Sequence, residues 1–338
     1  MTPPSPPNDG PRTPSVADPD TPLDIVYITG THRSGGTLLG TLLASGAGVF
    51  YAGELYRFPF PIFEPGDPTR GCSCGLPVAA CPFWTEVRAD AESRPGLLSD
   101  LRAGQRAYED WGHLPSTLLH YLRKDPAIDR FMARTEEFDR IVATRSRSKV
   151  IVESSFSPLR GLLYRRARLG GGKVRYIHLV RDGRSFFRSE TGPIGGPVEF
   201  GPAWQRSPPA VVARWLVFHL ASIAFCSRGP KTYLRVRYED LLLRPSETVR
   251  SIQQFLGIDY SEAIRRIETE QAFPMVHLCA ANRSRLKGSL VVHPEMATPP
   301  RLSRAHTALF WGMAGWLALA FGYRPGTAKT ASSSPPPA

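Results

Sequence analysis

A glycine-rich turn near the amino terminus carries the residues of an anion-binding loop. It reads Gly30-Thr31-His32-Arg33-Ser34-Gly35-Gly36-Thr37 and lies between an apolar run at residues 24–29 and leucines at helical spacing at residues 37–44. A strand, a turn and a helix in this order direct backbone N–H groups and the helix N-terminus at an anion. Loops that bind nucleoside triphosphates carry a lysine where this chain has Gly36. The turn therefore predicts a phosphate site, and the missing lysine counts against a triphosphate.

The same turn resembles the first motif of the sulfotransferases that use 3′-phosphoadenosine 5′-phosphosulfate (PAPS). That motif is similar to R-S-G-T-T-L-L in the carbohydrate, tyrosylprotein and bacterial branches of the family. This chain has glycine in place of the usual first threonine, which removes one hydroxyl donor and leaves the backbone N–H groups. The resemblance implies that the 5′-phosphosulfate is bound by Arg33, Ser34, Gly35, Gly36, Thr37 and Leu38.

A second motif follows the apolar run at residues 174–180. In the resembled family, the arginine that ends this strand and a serine eight residues later bind the 3′-phosphate, and Arg181 and Ser189 have that spacing. A guanidinium forms charge-assisted hydrogen bonds with phosphate oxygens, and serine adds a neutral donor. Alone, Arg181-Asp182 is equally well read as a surface turn with a local salt bridge. Together with the glycine-rich turn, this motif predicts a nucleotide with two separated phosphates.

Three weaker matches extend the resemblance along the chain. Residues 236–241 (VRYEDL), with Arg244-Pro245 and residues 252–257 (IQQFLG), are similar to a family segment that follows the second motif. The cysteine segment at residues 71–84 resembles that of bacterial members, which are the nearest match. A late basic loop at residues 282–288 resembles the loop that closes over the nucleotide, and this implies further nucleotide contacts from Arg283, Arg285, Lys287 and Gly288.

Sulfuryl transfer needs a base for the incoming hydroxyl group and a positive group near the leaving oxygen. Glu54 follows the second apolar run, where the resembled branches often have a glutamate, and the carboxyl end of a strand faces the same crevice as the glycine-rich turn. We expect Glu54 to be the base and Arg33 to act on the leaving oxygen. The alternatives are an exposed glutamate in a turn and a surface arginine.

One departure from the resembled family bears on whether the chain catalyses the transfer. Bacterial relatives resemble D-S-S-K where this chain reads Glu153-Ser154-Ser155-Phe156, and that lysine is thought to help bind the sulfuryl group. Arg160, one helical turn later, or Arg33 is a candidate replacement. Three functions stay open: transfer of sulfate to a hydroxyl group of a carbohydrate, lipid or other small metabolite, PAPS binding without turnover, and a P-loop nucleotide kinase.

The elements that position these residues alternate along the chain. Short apolar runs at residues 24–29, 49–52, 149–152, 174–180 and 232–236 predict strands, with helical patterns between most of them. This alternation predicts an α/β fold with a mostly parallel sheet of about five strands, flanked by helices in three layers. Residues 56–147 break the rhythm and predict a helical insertion that shapes the acceptor site. Its helical stretches lie around residues 97–108, 114–123 and 128–144.

The two ends of the chain differ from its middle in composition. Residues 1–22 are proline-rich without an apolar run, which predicts a disordered leader and no signal peptide. Residues 326–338 predict a disordered tail, so the sulfotransferase-like domain is expected at residues 23–325. Residues 306–323 are apolar and rich in glycine and alanine, and we interpret them as a buried helix rather than a membrane span.

Charge and cysteine content limit the kinds of ligand and the cellular compartment that the sequence predicts. The formal net charge is +12, but the arginines are spread without a basic run or a nucleic-acid module, which favours an anionic small ligand. Five cysteines, an odd number, with no export signal predict reduced thiols in the cytoplasm. Cys72, Cys74 and Cys81 are close in sequence, but no nearby fourth cysteine or histidine completes a zinc site, so no metal is predicted. His178, inside an apolar strand, is expected to be a hydrogen-bonded core residue.

Overall fold

The centre of the molecule is a five-stranded parallel sheet. The computed structural model describes residues 20–58, 71–191, 207–297 and 300–326. The strands are β1 (Asp24–Gly30), β2 (Val49–Gly53), β3 (Val150–Phe156), β4 (Val174–Val180) and β5 (Tyr233–Arg237). Their order is β2-β3-β1-β4-β5, and each neighbouring pair is parallel. The predicted sheet is therefore confirmed, and β1 lies at its middle.

Helices cover both faces of the sheet. The insertion contributes four of the helices in the described chain: α2 (Pro82–Glu92), α3 (Leu97–Tyr108), α4 (Leu114–Leu122) and α5 (Pro126–Ser146). A short antiparallel pair, β6 (Phe273–Pro274) and β7 (Ser289–Leu290), stands apart from the sheet. The remaining helices are α1 (Gly36–Leu43), α6 (Pro158–Tyr164), α7 (Gly183–Thr191), α8 (Pro208–Cys226), α9 (Tyr238–Leu243), α10 (Pro245–Leu256), α11 (Ser261–Glu268) and α12 (Arg304–Ala320).

Alternate residues of the strands supply two cores. Ile25 and Tyr27 of β1 face the cluster that includes the insertion, whereas Val26 and Ile28 face the cluster of α1, α9, α10 and α11. A strand with both faces buried must be apolar at consecutive positions, which explains the unbroken run that marked β1 in the sequence. The result is the predicted three-layer arrangement.

A third cluster packs α7, α8 and α12 together. Trp215 of α8 and Phe310 of α12 are fully buried there, with ring centroids 5.5 Å apart. Within the described residues, α8 alone is long and apolar enough to cross a membrane, and 33% of its apolar window is buried. The sequence had raised this question for residues 306–323, and α12 occupies most of that stretch with one face against α8.

The predicted disordered ends lie almost wholly outside the described residues. Residues 1–19 of the leader and residues 327–338 of the tail are not described, nor are residues 59–70 of the insertion. The domain boundaries at residues 23 and 325 therefore stay predictions.

Candidate functional site

The glycine-rich turn connects the carboxyl end of β1 to α1. Gly35 is the residue before the helix and has a φ of 97°, in the region that glycine tolerates. A Cβ atom at Gly35 would lie 2.2 Å from the ring of Tyr238, so a side chain is excluded on steric grounds too. The hydroxyl groups of Thr31 and Ser34 are 2.7 Å apart and hold the turn together. The first N–H groups of α1 thus open at the carboxyl edge of the sheet, where an anion is favoured.

Arg33 lies at the crest of this turn. Its φ of 63° is left-handed, which is uncommon for a residue with a side chain and marks a constrained turn. Its guanidinium Nε donates to Oε1 of Glu190 over 2.9 Å, and Glu190 also accepts from Arg214. Two arginines therefore flank one carboxylate beside α7, and the side chain of Arg33 is 36% exposed.

Arg181 joins the two motifs. It directly follows β4, the strand beside β1, and its Nη1 donates to the carbonyl oxygen of Arg33 over 2.7 Å. Its guanidinium carbon lies 4.5 Å from the centroid of the Tyr238 ring, the same ring that packs on Gly35. The Nε of Arg181 is buried and has no hydrogen-bond partner among the described residues. A buried unpaired donor of this kind fits an anion that completes the site.

Ser189 follows Arg181 on α7. Its hydroxyl donates to the carbonyl of Phe186 over 2.8 Å, and the residue is half-buried. The turn between β4 and α7 is held by Glu239, which accepts from the Asp182 N–H over 2.9 Å and from the Tyr323 hydroxyl over 2.7 Å. Burial raises the pKa of Glu239. The R-Y-E-D-L segment thus supports the second motif through Tyr238 and Glu239.

Glu54 follows β2 at the same edge of the sheet. Gly53 has a φ of 72°, and a Cβ there would lie 2.2 Å from the carbonyl oxygen of Ala280, so glycine is required. That carbonyl accepts from the Glu54 N–H over 2.8 Å. The carboxylate of Glu54 lies 3.6 Å from Nη1 of Arg57 and close enough to His32 for its charge to act there. The predicted base and the glycine-rich turn therefore lie at the same edge of the sheet.

Phe156 lies directly against the glycine-rich turn. It is 4% exposed, has a left-handed φ of 60°, and its ring centroid is 5.4 Å from that of His32. A Cβ on Gly36 would lie 2.3 Å from the Phe156 ring. The two departures from the resembled family are therefore in contact, since the ring occupies the space that a side chain at position 36 would need.

Arg160 does not take the place of the missing lysine. It is 2% exposed, its Nε donates to Glu153 over 2.8 Å, and its Nη1 donates to Glu109 over 2.6 Å. Tyr164 donates to the other oxygen of Glu153 over 2.6 Å. Because both carboxylates need this guanidinium, the idea that Arg160 binds the sulfuryl group is wrong for this arrangement, and Arg33 is the remaining candidate.

The late basic loop reaches the glycine-rich turn. The N–H of Asn282 donates to the hydroxyl of Thr37 over 3.3 Å. Arg285 is buried and donates to the carbonyls of Gly71 and Ala281 over 3.0 and 2.6 Å, which fixes the loop. Its contact with nucleotide stays a prediction. So do those of Lys287, which is exposed, of Gly288, and of Arg283, whose side chain lies outside the described residues.

His178 is a core residue, as expected. Its Nε2 lies 2.7 Å from Nδ1 of His219, and its Nδ1 bonds with the Tyr233 hydroxyl. Burial lowers the pKa of His219 to about 3 and that of His178 well below its usual value, the latter with help from His219 and Arg235. Both rings are therefore neutral at physiological pH.

The cysteine cluster gains a fourth member that the sequence did not indicate. His277 lies 3.3 Å from Cys81, measured from Nδ1 to Sγ, and one ligand atom from each of Cys72, Cys74, Cys81 and His277 lies within 4.8 Å of the others. The expectation that no fourth ligand is available is wrong, because it considered only residues close in sequence. Among the aromatic residues at the start of the insertion and in α2, Phe58 and Trp84 belong to the core, with ring centroids 5.5 Å apart, and Phe60 and Phe63 lie outside the described residues.

Three residues of the crevice were missed by the sequence reasoning. Tyr238 supports both Gly35 and Arg181, and the R-Y-E-D-L match contained it without indicating this role. Glu190 and Arg214 surround Arg33. Glu190 follows Ser189 directly, so its position on α7 was a usable signal, whereas nothing in the sequence around Arg214 marks it.

A known protein family matches most of the chain. Residues 25–262 match the model of the sulfotransferase family. No curated protein matches the chain. A sulfotransferase domain from the Synechococcus PCC 7002 olefin synthase is 20% identical, with 91% of this chain and 97% of that chain covered and a TM-score of 0.44. A sulfotransferase domain from the curacin biosynthetic pathway is 17% identical, with 88% of this chain and 98% of that chain covered and a TM-score of 0.44. Sulfotransferase STF9 from Mycobacterium avium is 13% identical, with 90% of this chain and 79% of that chain covered and a TM-score of 0.46.

Proposed function

Because the chain belongs to the sulfotransferase family, we propose that it transfers a sulfuryl group from PAPS to a hydroxyl group. The product nucleotide is adenosine 3′,5′-bisphosphate (PAP). The acceptor is a carbohydrate, a lipid or another small metabolite, and no nucleic acid takes part. The free cysteines of the described chain are compatible with a cytoplasmic location.

The hydrogen bond between Arg181 and the Arg33 carbonyl carries this proposal. It brings the two phosphate motifs, which are 148 residues apart, to adjacent carboxyl ends of β4 and β1. The unpaired Nε of Arg181 is a donor that a second phosphate would satisfy. A ligand with phosphates at both its 3′ and 5′ positions uses this arrangement better than ATP does, since Gly36 offers no cation to a γ-phosphate.

The residues at this edge of the sheet have separate roles in sulfuryl transfer. Bound PAPS supplies the activated sulfuryl group and its leaving phosphate. The N–H groups at the start of α1 hold the 5′ end, and Arg33 leaves Glu190 to stabilise charge on the leaving oxygen. Glu54 takes the proton of the acceptor hydroxyl. Arg181 and Ser189 bind the 3′-phosphate and so favour PAPS over nucleotides without one.

Mass spectrometry of a broad acceptor panel incubated with PAPS tests the proposal. We expect one or more acceptors to gain a sulfuryl group and PAP to appear in equal amount. The Glu54→Gln variant should lose roughly 100-fold or more of this turnover while it binds PAP as before, because only the base is removed. Glu92→Gln, which changes an exposed carboxylate at the end of α2, is the matched control. Full turnover in Glu54→Gln removes this residue from the mechanism, and ATP binding tighter than PAP rejects the proposal.

A second candidate function is nucleotide binding without turnover. Phe156 stands buried where the resembled bacterial enzymes have a lysine, and Arg160 is held by two carboxylates. Tight PAP binding with no sulfated product, and no gain of activity in Phe156→Lys, would establish this candidate in place of the first. Product formation by the unchanged chain excludes it.

A further inference from the structure

We propose that Cys72, Cys74, Cys81 and His277 form a structural zinc site. The four candidate ligand atoms come from two segments, residues 72–81 and residue 277, that are about 200 residues apart in the chain. Three thiolates and one imidazole are a donor set that tetrahedral zinc uses in closed sites. This proposal does not depend on the sulfotransferase reaction.

The distances fit a tetrahedron with little movement. Zinc–sulfur bonds of about 2.3 Å and a zinc–nitrogen bond of about 2.0 Å set the ligand atoms about 3.5 to 3.8 Å apart. The Cys81 sulfur and the His277 nitrogen are already 3.3 Å apart, and all four atoms lie within 4.8 Å of one another. The side chains therefore need to move by about 1 Å or less.

The backbone around the cluster is built to present these side chains. A tight turn, with the Gly75 N–H on the Cys72 carbonyl over 3.0 Å, aims Cys72 and Cys74 in one direction. Cys81 precedes α2, where the positive end of the helix favours a thiolate. Burial of Cys72 and Cys81 excludes water from two ligands, and Cys74 closes the site at the surface.

His277 is held in place by contacts that do not themselves need a metal. Its φ of 48° is left-handed, a strained conformation for a histidine. Phe83 stacks on its ring with a centroid distance of 5.1 Å and an interplanar angle of 8°. Trp84 donates from its indole N–H to the His277 carbonyl. The stacking on Phe83 fixes the plane of the imidazole, whose Nδ1 faces the Cys81 sulfur. A ligating role explains why the chain tolerates the strained backbone.

The zinc site would join the insertion to the crevice. Ser73, between two of the ligands, hydrogen-bonds to the Met275 carbonyl over 2.8 Å and the Leu278 N–H over 2.9 Å. A few residues further on, Ala280 accepts from Glu54, and Asn282 donates to Thr37. Metal bound at the cysteines therefore fixes the segment that positions the predicted base.

Metal analysis of the full chain, purified under reducing conditions without added metal, tests this inference. We expect about one zinc ion per chain by inductively coupled plasma mass spectrometry. Replacement with Co²⁺ should give the absorption bands of tetrahedral cobalt bound to thiolates. The Cys74→Ser variant, changed at the exposed ligand so that the core is left intact, should bind zinc at least about tenfold more weakly. A chelator should lower the melting temperature of the unchanged protein more than that of this variant.

Two further variants sharpen the test. Cys279→Ala removes a buried cysteine of the same segment that is not among the four candidate ligands, so its metal content should match that of the unchanged protein. His277→Asn keeps a side chain that tolerates the left-handed backbone and should change the cobalt spectrum while thiolate bands persist. The proposal is overturned if reduced protein binds neither zinc nor cobalt. A disulfide within the cluster, or equal metal loss in Cys74→Ser and Cys279→Ala, would overturn it too.

Discussion

The side chain of Arg181 makes two contacts and keeps one donor unpaired, and this geometry explains how it connects two motifs. Its Nη1 donates to the Arg33 carbonyl, and its guanidinium stacks on the Tyr238 ring. Its Nε is buried without a partner among the described residues. Stacking on an aromatic ring keeps a guanidinium in place without using its hydrogen-bond donors. The side chain is therefore positioned before any anion binds, which lowers the entropic cost of binding.

Replacement of Arg181 by alanine should weaken PAP binding much more than replacement of another arginine on the same strand. A charge-assisted hydrogen bond contributes about 1.5 to 3 kcal/mol, which is roughly tenfold to 150-fold in Kd. Arg175, at the other end of β4, pairs with Asp24 over 3.3 Å and lies far from the crevice. Isothermal titration with PAP should show the loss in Arg181→Ala only. Equal affinities in both variants would mean that Arg181 does not contact the nucleotide.

Gly36 and Phe156 should behave as a coupled pair. Gly36→Ala places a methyl group about where the Phe156 ring lies, and overpacking of this kind costs about 1 to 3 kcal/mol of unfolding free energy. In a Phe156→Leu background the shorter side chain relieves the clash, so the two effects should be non-additive. Urea unfolding of the two single variants and the double variant measures the coupling. Additive losses would show that the ring moves aside without cost.

For individual residues, the sequence identified those at the carboxyl edge of the sheet better than those that support them. Arg33, Arg181 and Glu54 do meet at one edge of the sheet, because residues that end parallel strands share that edge. Tyr238 and His277 lie far from their partners in sequence, so no local spacing predicts their contacts. Arg160 had the right spacing for the crevice, but burial beside two carboxylates decided otherwise.

Among the elements, β4 and α8 are coupled by the pair His178 and His219. Both pKa values are lowered by burial, so the native state holds neutral rings while the unfolded chain binds protons below about pH 6.5. The stability that these rings contribute is complete above that pH and is lost as the pH falls below it. Trp215 and Phe321 pack around His219 and keep water away.

His219→Gln should make the protein less sensitive to acid. One histidine that must stay neutral gives a slope of about 1.4 kcal/mol per pH unit well below pH 6.5. The variant should therefore show a shallower fall of unfolding free energy between about pH 6.5 and about pH 5, measured with urea. His113→Gln, at an exposed position, should leave the slope unchanged. A slope equal to that of the unchanged protein in His219→Gln would show that His219 is charged in the native state.

Elements with both faces buried were predicted most accurately. The run at residues 174–180 coincides with β4, since an apolar stretch of that length has few other structures available. The end of β3 was placed four residues short, because Glu153, Ser154 and Ser155 are polar yet buried through their own hydrogen bonds. A pattern of apolar residues does not detect buried polar residues that are hydrogen-bonded inside the protein.

For the whole molecule, the ion network around Arg160 connects the insertion to the sheet. Glu109 comes from the end of α3, Glu153 from β3, and Arg160 from α6, and all three are nearly inaccessible to water. Burial also raises the pKa of Asp139 on α5, with Glu153 adding to the effect. A buried cation with two partners fixes the orientation of the insertion, because neither carboxylate can be left unpaired.

Arg160→Met should destabilise the entire fold. Loss of one member of a buried ion pair costs about 3 to 5 kcal/mol, because the remaining charges keep their desolvation cost. Arg88→Met removes a 2.7 Å pair with Glu92 that is about half exposed, and it should change the unfolding free energy by less than about 1 kcal/mol. Chemical denaturation of both variants at neutral pH makes the comparison. A small loss in Arg160→Met would indicate that water enters the network.

The contact between Gly36 and Phe156 also constrains how such a site changes over generations. A lineage that carries this phenylalanine gains nothing from a threonine at position 36 until the ring has gone, since the ring fills that space. A change at both positions must therefore begin at position 156. The residue at position 156 thus decides whether a side chain is permitted at position 36. We therefore expect relatives with an aromatic residue at the end of β3 to keep glycine in the turn.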